Sequence, residues 1–230
     1  MGAIMSAGAA TAQTEISRLR AQLERVQGRR LGAAVLPTLP SLAGLLPGGG
    51  LRAGAAYALA PSASLLLALL ARPSQEGSWC GVVGMPELGA EAAEQLGVDL
   101  SRMVLIPEPG PRWLAVTATV ADVLPVVAVR PAGRVSPGEV SRLSARLRDR
   151  GGVLLVQGVW PQAEASIAVD RSEWSGVGDG YGFLRRRALT VSVTSRRWAV
   201  PRRARLVLPD ETGGLTAVSQ VSPVPMRAVG

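Results

Sequence analysis

The 230-residue sequence predicts an α/β fold in which a mostly parallel sheet is flanked by helices. Between Gly54 and Gly158, short continuous apolar runs alternate with segments of helical periodicity, which is typical of parallel strands buried on both faces. After Gln157 the strand patterns follow one another without helices, which predicts an antiparallel extension of the sheet. Because 47% of the residues are hydrophobic, the chain can bury a core of this size.

The order of the elements follows from the local patterns. Continuous apolar runs predict strands at residues 55–60, 80–84, 103–106, 126–129 and 153–157. Apolar residues spaced for one helical face predict helices between them, at residues 62–71, 88–96, 113–122 and 137–150. The antiparallel extension is predicted at residues 165–169, 189–194, 205–208 and 216–219.

A separate amphipathic helix is predicted within residues 1–30. Apolar residues recur there at alternating three- and four-residue spacings, and charged residues lie between them. This apolar stripe consists of Ile16, Leu19, Leu23 and Val26. The stripe is compatible with packing on its own domain and with docking on a partner chain, and spacing alone leaves both open.

Composition sets the remaining boundaries. Residues 31–50 are rich in Pro and Gly and end in the run 47–50, so they predict a connector to a core at residues 51–209. Residues 210–230 predict a tail, because large apolar groups are scarce in most of that segment. Its Pro-containing end, 221–227, is compatible with disorder or with an extended peptide in a partner's groove.

All 25 basic residues are arginine, and the chain has neither lysine nor histidine. A P-loop binds a triphosphate through backbone amides and a lysine that reaches the β- and γ-phosphates, so that chemistry is not available in its usual form. Zinc sites, Ser/His/Asp triads and Cys/His pairs are not available either, because the one cysteine, Cys80, lies in an apolar run and is predicted to be a core residue. The sequence therefore predicts no catalytic residue, no metal site and no cofactor.

The junction between the first long strand and its helix lies where a P-loop would be, at residues 58–67. Its Gly-Lys-Thr end is absent, and Leu65, Leu66 and Leu67 occupy the phosphate region. A magnesium site also needs an acidic residue at the end of a later strand, but the strand at 126–129 is followed by Arg130, which would repel the metal. Core packing is therefore favoured over anion binding at Ser62.

These motifs are similar to the RecA recombinase core. The resemblance covers roughly residues 50–200 and rests on the stretch 96–100, Leu-Gly-Val-Asp-Leu, on the strand at 103–106 followed by Pro-Glu-Pro, and on the segment 140–157. In that last segment an arginine-rich helix leads into a strand whose terminal glutamine, in the family, senses nucleotide. The resemblance implies a degenerate nucleotide site at Pro61, Ser62, Ser64, Leu66, Glu87 and Gln157.

The broken P-loop, the motif Ser172-Glu173-Trp174 and the segments 182–189 and 201–205 most resemble the ImuA-type branch, in its actinobacterial ImuA-prime form. This resemblance implies a non-catalytic protein of a DNA-damage-induced mutasome. Its partners would be an ImuB-type inactive relative of Y-family polymerases and, directly or indirectly, an error-prone C-family polymerase. DNA and a second copy of the chain are further candidate partners.

Arginines are concentrated between residues 185 and 205, where Asp and Glu are absent. The predicted patch comprises Arg185, Arg186, Arg187, Arg196, Arg197, Trp198, Arg202, Arg203 and Arg205. Its arginines could neutralise DNA phosphates, with Trp198 stacking on an unpaired base, or could pair with an acidic protein surface. A solvated face without a partner is the third interpretation.

Two further hypotheses follow from the residues. The chain could be a divergent recombinase-type ATPase with arginine in place of lysine, or a plain single-stranded DNA-binding protein. No apolar run reaches the roughly 18–20 residues that a membrane span needs, and residues 1–14 lack the pattern of a secretory signal. We therefore expect no membrane contact and a cytoplasmic location, at the nucleoid during DNA damage.

Overall fold

The computed structural model describes residues 34–178, 181–210, 214–218 and 222–223. The strands are β1 Val35–Pro37, β2 Gly50–Arg52, β3 Ala56–Leu59, β4 Cys80–Val83, β5 Met103–Ile106, β6 Val126–Val129, β7 Val153–Gln157, β8 Ala165–Gly178, β9 Tyr181–Ser195, β10 Arg202–Val207, β11 Thr216–Ala217 and β12 Ser222–Pro223. The α-helices are α1 Pro40–Ala43, α2 Ala63–Gln75, α3 Ala90–Gln95, α4 Trp113–Val123 and α5 Pro137–Arg150.

One sheet contains β3 through β12, in the order β11-β10-β9-β8-β3-β7-β6-β4-β5, with β12 beside β10. From β8 to β5 neighbouring strands run parallel, whereas β9, β10 and β11 are antiparallel to their neighbours. This arrangement confirms the predicted α/β class, with a mostly parallel sheet and an antiparallel carboxyl-terminal part. In one detail the structure differs from the prediction, because β8 is parallel to β3 as well as antiparallel to β9.

Local sequence explains where the long helices begin and end. The Ser62 side chain accepts a hydrogen bond from the Leu65 N–H and caps α2. Ser136 and Glu139 form a reciprocal capping box at the start of α5, and Gly151 ends that helix in the left-handed conformation at φ 68°. None of the helices in the described part of the chain is long and apolar enough to cross a membrane.

The two faces of the sheet carry separate apolar cores. On one face α2 packs with the segment between β1 and β2 and with the inward residues of β9 and β10. On the other face α4 and α5 pack against β6 and β7. Alternation along β9 places Leu189, Val191 and Val193 in the first core, so the other face of the antiparallel extension carries the alternate, more exposed residues.

Residues 31–50 were predicted as a connector, but from Val35 onward they are part of the folded unit. Leu42, Leu45 and Leu46 are at most 2% exposed and pack in the same core as α2. The Pro and Gly residues shape the turns, including Gly48 and Gly49 at positive φ. The three buried leucines of this segment remove enough apolar surface from water to hold the segment on the sheet.

Parts of the predicted tail also belong to the sheet. β11 pairs with Leu206 and Val207 of β10, and β12 pairs with Arg202 and Arg203. Leu215 packs against the core that contains α2. The described residues of the tail are therefore held by backbone pairing at the edge of the sheet.

Candidate functional site

The β3–α2 junction lies at the carboxyl edge of the parallel strands, the edge where open α/β sheets bind ligands. Pro61 is exposed, whereas Ser62 is buried and its Oγ is 3.4 Å from the Ser64 Oγ. Leu66 N–H donates to the Ser62 carbonyl, as in an ordinary first helical turn. The turn that a P-loop would open around a phosphate is thus a capped helix start.

The three leucines after this turn belong to the core. Leu65 and Leu66 are 0% exposed and Leu67 is 2% exposed. They pack among apolar residues of the core that lies between α2 and the sheet. In the predicted site, Leu66 is therefore a packing residue and does not face a ligand.

Three side chains from neighbouring strand ends meet beside this junction. Arg130 follows β6 and donates from Nε (3.0 Å) and Nη2 (2.7 Å) to the Gln157 Oε1 at the end of β7. Its Nη1 forms an ion pair with Glu87, which follows β4. The pKa of Glu87 is lowered, first by a hydrogen bond from its own backbone N–H and then by Arg130.

This cluster brings Glu87 and Gln157 together, as the resemblance implies, but through a third residue. Gln157 is 4% exposed, and both of the described donors to its Oε1 belong to Arg130. Its Nε2 is buried without a hydrogen-bond partner among the described residues. The predicted nucleotide-sensing amide is thus held by an arginine of the same chain.

A second arginine reaches the start of α2 from the antiparallel extension. Arg187 of β9 donates from Nη1 to the Ser64 Oγ at 3.4 Å and from Nε to the Ser172 Oγ at 2.7 Å. Its guanidinium also lies 5.4 Å from the centre of the Trp174 ring. Arg187 therefore connects the candidate nucleotide site with the predicted arginine patch.

The other described arginines of that patch divide between two faces and a turn. On the outward face of β10, Arg203 pairs with Asp170 and Arg205 with Glu173, each at 2.9 Å. On the covered face, Arg202 donates to the Gly44 carbonyl at 2.7 Å.

In the turn after β9, Arg197 pairs with Glu164, whose other carboxylate oxygen lies 3.6 Å from Arg52. Trp198 packs partly against the core and lies 3.9 Å below the Arg202 guanidinium. Arg196 is exposed. The predicted stacking of Trp198 on a base would therefore require displacement of Arg202.

Sequence reasoning missed the acidic residues that face this segment. A window from 185 to 205 contains no acid, but β8 pairs with β9 and β9 with β10, so that Asp170 and Glu173 are within reach of the arginines of β10 across β9. Asp170 and Glu173 are the two acids of β8, and they would have been a usable signal once the pairing partner was known. Three of the described arginines predicted for the patch form ion pairs with carboxylates, namely Arg197, Arg203 and Arg205. Arg187 and Arg202 bond instead to uncharged oxygens, and Arg186 is exposed.

Two sets of predicted residues lie outside the described part of the chain. The first set is the stripe of the amino-terminal helix, Ile16, Leu19, Leu23 and Val26, and the second is the Arg185 side chain.

The fold and the carboxyl edge of its parallel strands define an α/β protein whose mostly parallel sheet has charged and amide side chains linked across its strand ends. The chain belongs to the family described as the MT3502 N-terminal domain, whose model matches residues 44–162. It is 35% identical over 134 residues to the uncharacterized protein Rv3395c of Mycobacterium tuberculosis. The match spans 56% of this chain and 66% of the length of that relative.

Proposed function

We propose that this protein is a non-catalytic, RecA-like adaptor of a DNA-damage-induced translesion synthesis complex. In this proposal it binds an ImuB-type inactive relative of Y-family polymerases and supports an error-prone C-family polymerase. The RecA-like part of the proposal is supported by Glu87 and Gln157, which the resemblance assigns to one degenerate nucleotide site and which Arg130 joins beside the carboxyl ends of the parallel strands.

One observation carries the non-catalytic part of the proposal. The groups that would contact a triphosphate in an active relative are engaged within the chain, since Leu65 and Leu66 are buried and Arg130 holds both Glu87 and Gln157. A nucleotide would have to compete with charge-assisted hydrogen bonds to Gln157 and would meet no lysine. Such a protein acts through surfaces rather than through turnover.

The adaptor role is tested by capture on an immobilised ImuB-type partner in moderate salt. Leu19→Glu together with Leu23→Glu places two negative charges on the predicted apolar stripe of the amino-terminal helix, whereas Ala21→Glu places one negative charge on its opposite side. We expect the full chain and Ala21→Glu to be retained and the double variant to be lost. Loss of all three proteins, or retention of all three, contradicts docking through this stripe.

The non-catalytic role is tested separately by thermal unfolding with Mg-ATP. A ligand at one hundred times its dissociation constant raises the free energy of unfolding of the protein that binds it by about 2.7 kcal/mol, which is easily seen in a melting curve. We expect no change in Tm at millimolar Mg-ATP. A rise in Tm that depends on both Mg and ATP, and that disappears in Ser64→Leu, would support the divergent ATPase instead.

Single-stranded DNA binding is a second candidate, and one observation favours it. Trp174 on β8 is 49% exposed, with Arg187 against its ring, so an aromatic face lies beside a cation. Base stacking of this kind contributes about 1–3 kcal/mol per base. If this candidate holds, Trp174→Ala weakens binding of a fluorescent oligonucleotide about tenfold, whereas Trp79→Ala, 40% exposed beside β4, leaves it unchanged.

A further inference from the structure

The strand β5 ends the sheet on the side opposite to the antiparallel extension. The Ile106 carbonyl accepts from the Gly84 N–H at 2.9 Å, so the backbone groups of Ile106 and Val104 face β4. Because these groups alternate along a strand, the N–H and C=O groups of Met103 and Leu105 face away from the sheet. Within the described ranges, no strand pairs with that edge.

The side chains at this edge are apolar on both faces of the sheet. Val104 is 36% exposed, Leu105 is 41% exposed, and Trp79 at the start of β4 is 40% exposed. Proteins protect free edges with charged residues, prolines or bulges. None of these devices lies within Met103–Ile106, and Pro107 follows only after the strand has ended.

The charges that flank β5 make the edge complementary to itself. Arg102 precedes the strand and the exposed Glu108 follows it. In an antiparallel pairing of two copies centred on Leu105, Val104 falls opposite Ile106 and Arg102 falls opposite Glu108. The outward backbone groups of Leu105 then form the hydrogen-bonded pair on the two-fold axis.

We propose that β5 of one copy pairs antiparallel with β5 of a second copy, centred on Leu105, so that the two sheets become one. The partner is a second copy because the strand presents opposite charges at its two ends, which meet twice across a two-fold axis. This homodimer is independent of the adaptor role, and each can fail without the other.

A cross-linking experiment tests the register. Hydrogen-bonded antiparallel pairs hold their Cα atoms about 5.5 Å apart, which lies within the range that a disulfide spans. Leu105→Cys in the full chain should form a covalent dimer under mild oxidation, whereas Val159→Cys, exposed after β7, should not. Cys80 gives little background, because burial raises its pKa to about 12. A Leu105→Cys protein that cross-links no more than Val159→Cys overturns the proposal.

A charge swap tests self-complementarity by sedimentation equilibrium from about 1 to 100 μM. Arg102→Glu should raise the dimer dissociation constant about tenfold, since two carboxylates then meet at each end. The double variant, Arg102→Glu with Glu108→Arg, should restore the wild-type dissociation constant. Both variants lack the contact of Arg102 with the Trp79 ring at 5.5 Å, so loss of that contact does not explain a difference between them. Failure of the double variant to recover, or a wild-type chain that sediments as a monomer, overturns the proposal.

Discussion

Replacement of Arg130 by Ala tests whether this arginine stabilises the protein through Gln157. Gln157 is 4% exposed, and its Oε1 accepts hydrogen bonds from Arg130 at 3.0 and 2.7 Å. Without Arg130 this buried acceptor loses both described donors, and an unpaired buried polar group costs about 1–3 kcal/mol. We expect a loss of about 2 kcal/mol, or roughly 4–8 °C in Tm for a domain of this size.

The partner substitution is Gln157→Leu, which removes the buried acceptor together with the Nε2 that has no partner among the described residues. Gln157→Leu should leave the free energy of unfolding close to that of the wild type, since an apolar group of similar shape needs no hydrogen-bond donor. In the Gln157→Leu background, Arg130→Ala should then cost less than about 0.5 kcal/mol. The coupling free energy of the pair is therefore about 1.5 kcal/mol or more.

The assay is urea unfolding of the four proteins, followed by circular dichroism, with equal m-values as the condition for comparing free energies. Glu87→Gln serves as control, because it removes the exposed ion pair but leaves the bonds between Arg130 and Gln157. It should destabilise less than Arg130→Ala. If Arg130→Ala costs the same free energy in both backgrounds, the Gln157 amide is not what Arg130 satisfies.

Three further outcomes are expected. Leu66→Ala should lower the free energy of unfolding by about 2–5 kcal/mol, because the side chain is 0% exposed in the core, and a chemical denaturation curve with unchanged stability would contradict its packing role. The pKa of Glu139 is lowered by hydrogen bonds from Ser136, so its contribution to stability is present above the unfolded pKa and is lost as pH falls through the folded pKa. Glu139→Gln should therefore flatten the fall in Tm below about pH 4.5, whereas an acid fall as steep as in the wild type would exclude this role. If the second candidate function holds and the protein binds single-stranded DNA, Asp170→Asn with Glu173→Gln should steepen the salt dependence of that binding by about one to two units in log–log slope, because it removes the carboxylates that pair with Arg203 and Arg205 of β10, and an unchanged slope would mean that these pairs do not mask the arginines.

The parallel strands were predictable because each carries its own signal. Residues 126–129 and 153–157 were predicted with the bounds that the structure has, since a strand buried on both faces is continuously apolar in the sequence. The bounds 103–106 were also predicted from a continuous apolar run, although β5 lies at the edge of the sheet and is partly exposed. The helix over 137–150 was equally clear, because its apolar residues recur on one face. The absence of lysine can likewise be read from the sequence directly, because it does not depend on the fold.

The long-range contacts carried no comparable signal. Proline and glycine between residues 31 and 50 predicted a connector, although Leu42 and Leu45 had apolar surface to bury. Whether they bury it depends on the apolar face of β9 and β10 on which they pack, and that face is formed by residues far along the chain. Glycine and proline report local backbone conformation and not what the segment packs against.

The sequence by itself determined the α/β class, the places of the parallel strands and the loss of the lysine that grips a triphosphate, because periodicity and residue type are properties of a short window. Only the tertiary structure decided that Arg130 holds Gln157 and that Asp170 and Glu173 pair with the arginines of β10. These contacts join strands that lie far apart along the chain. Electrostatic interactions act through distance in space, so their partners become known only when the order and register of the strands are known.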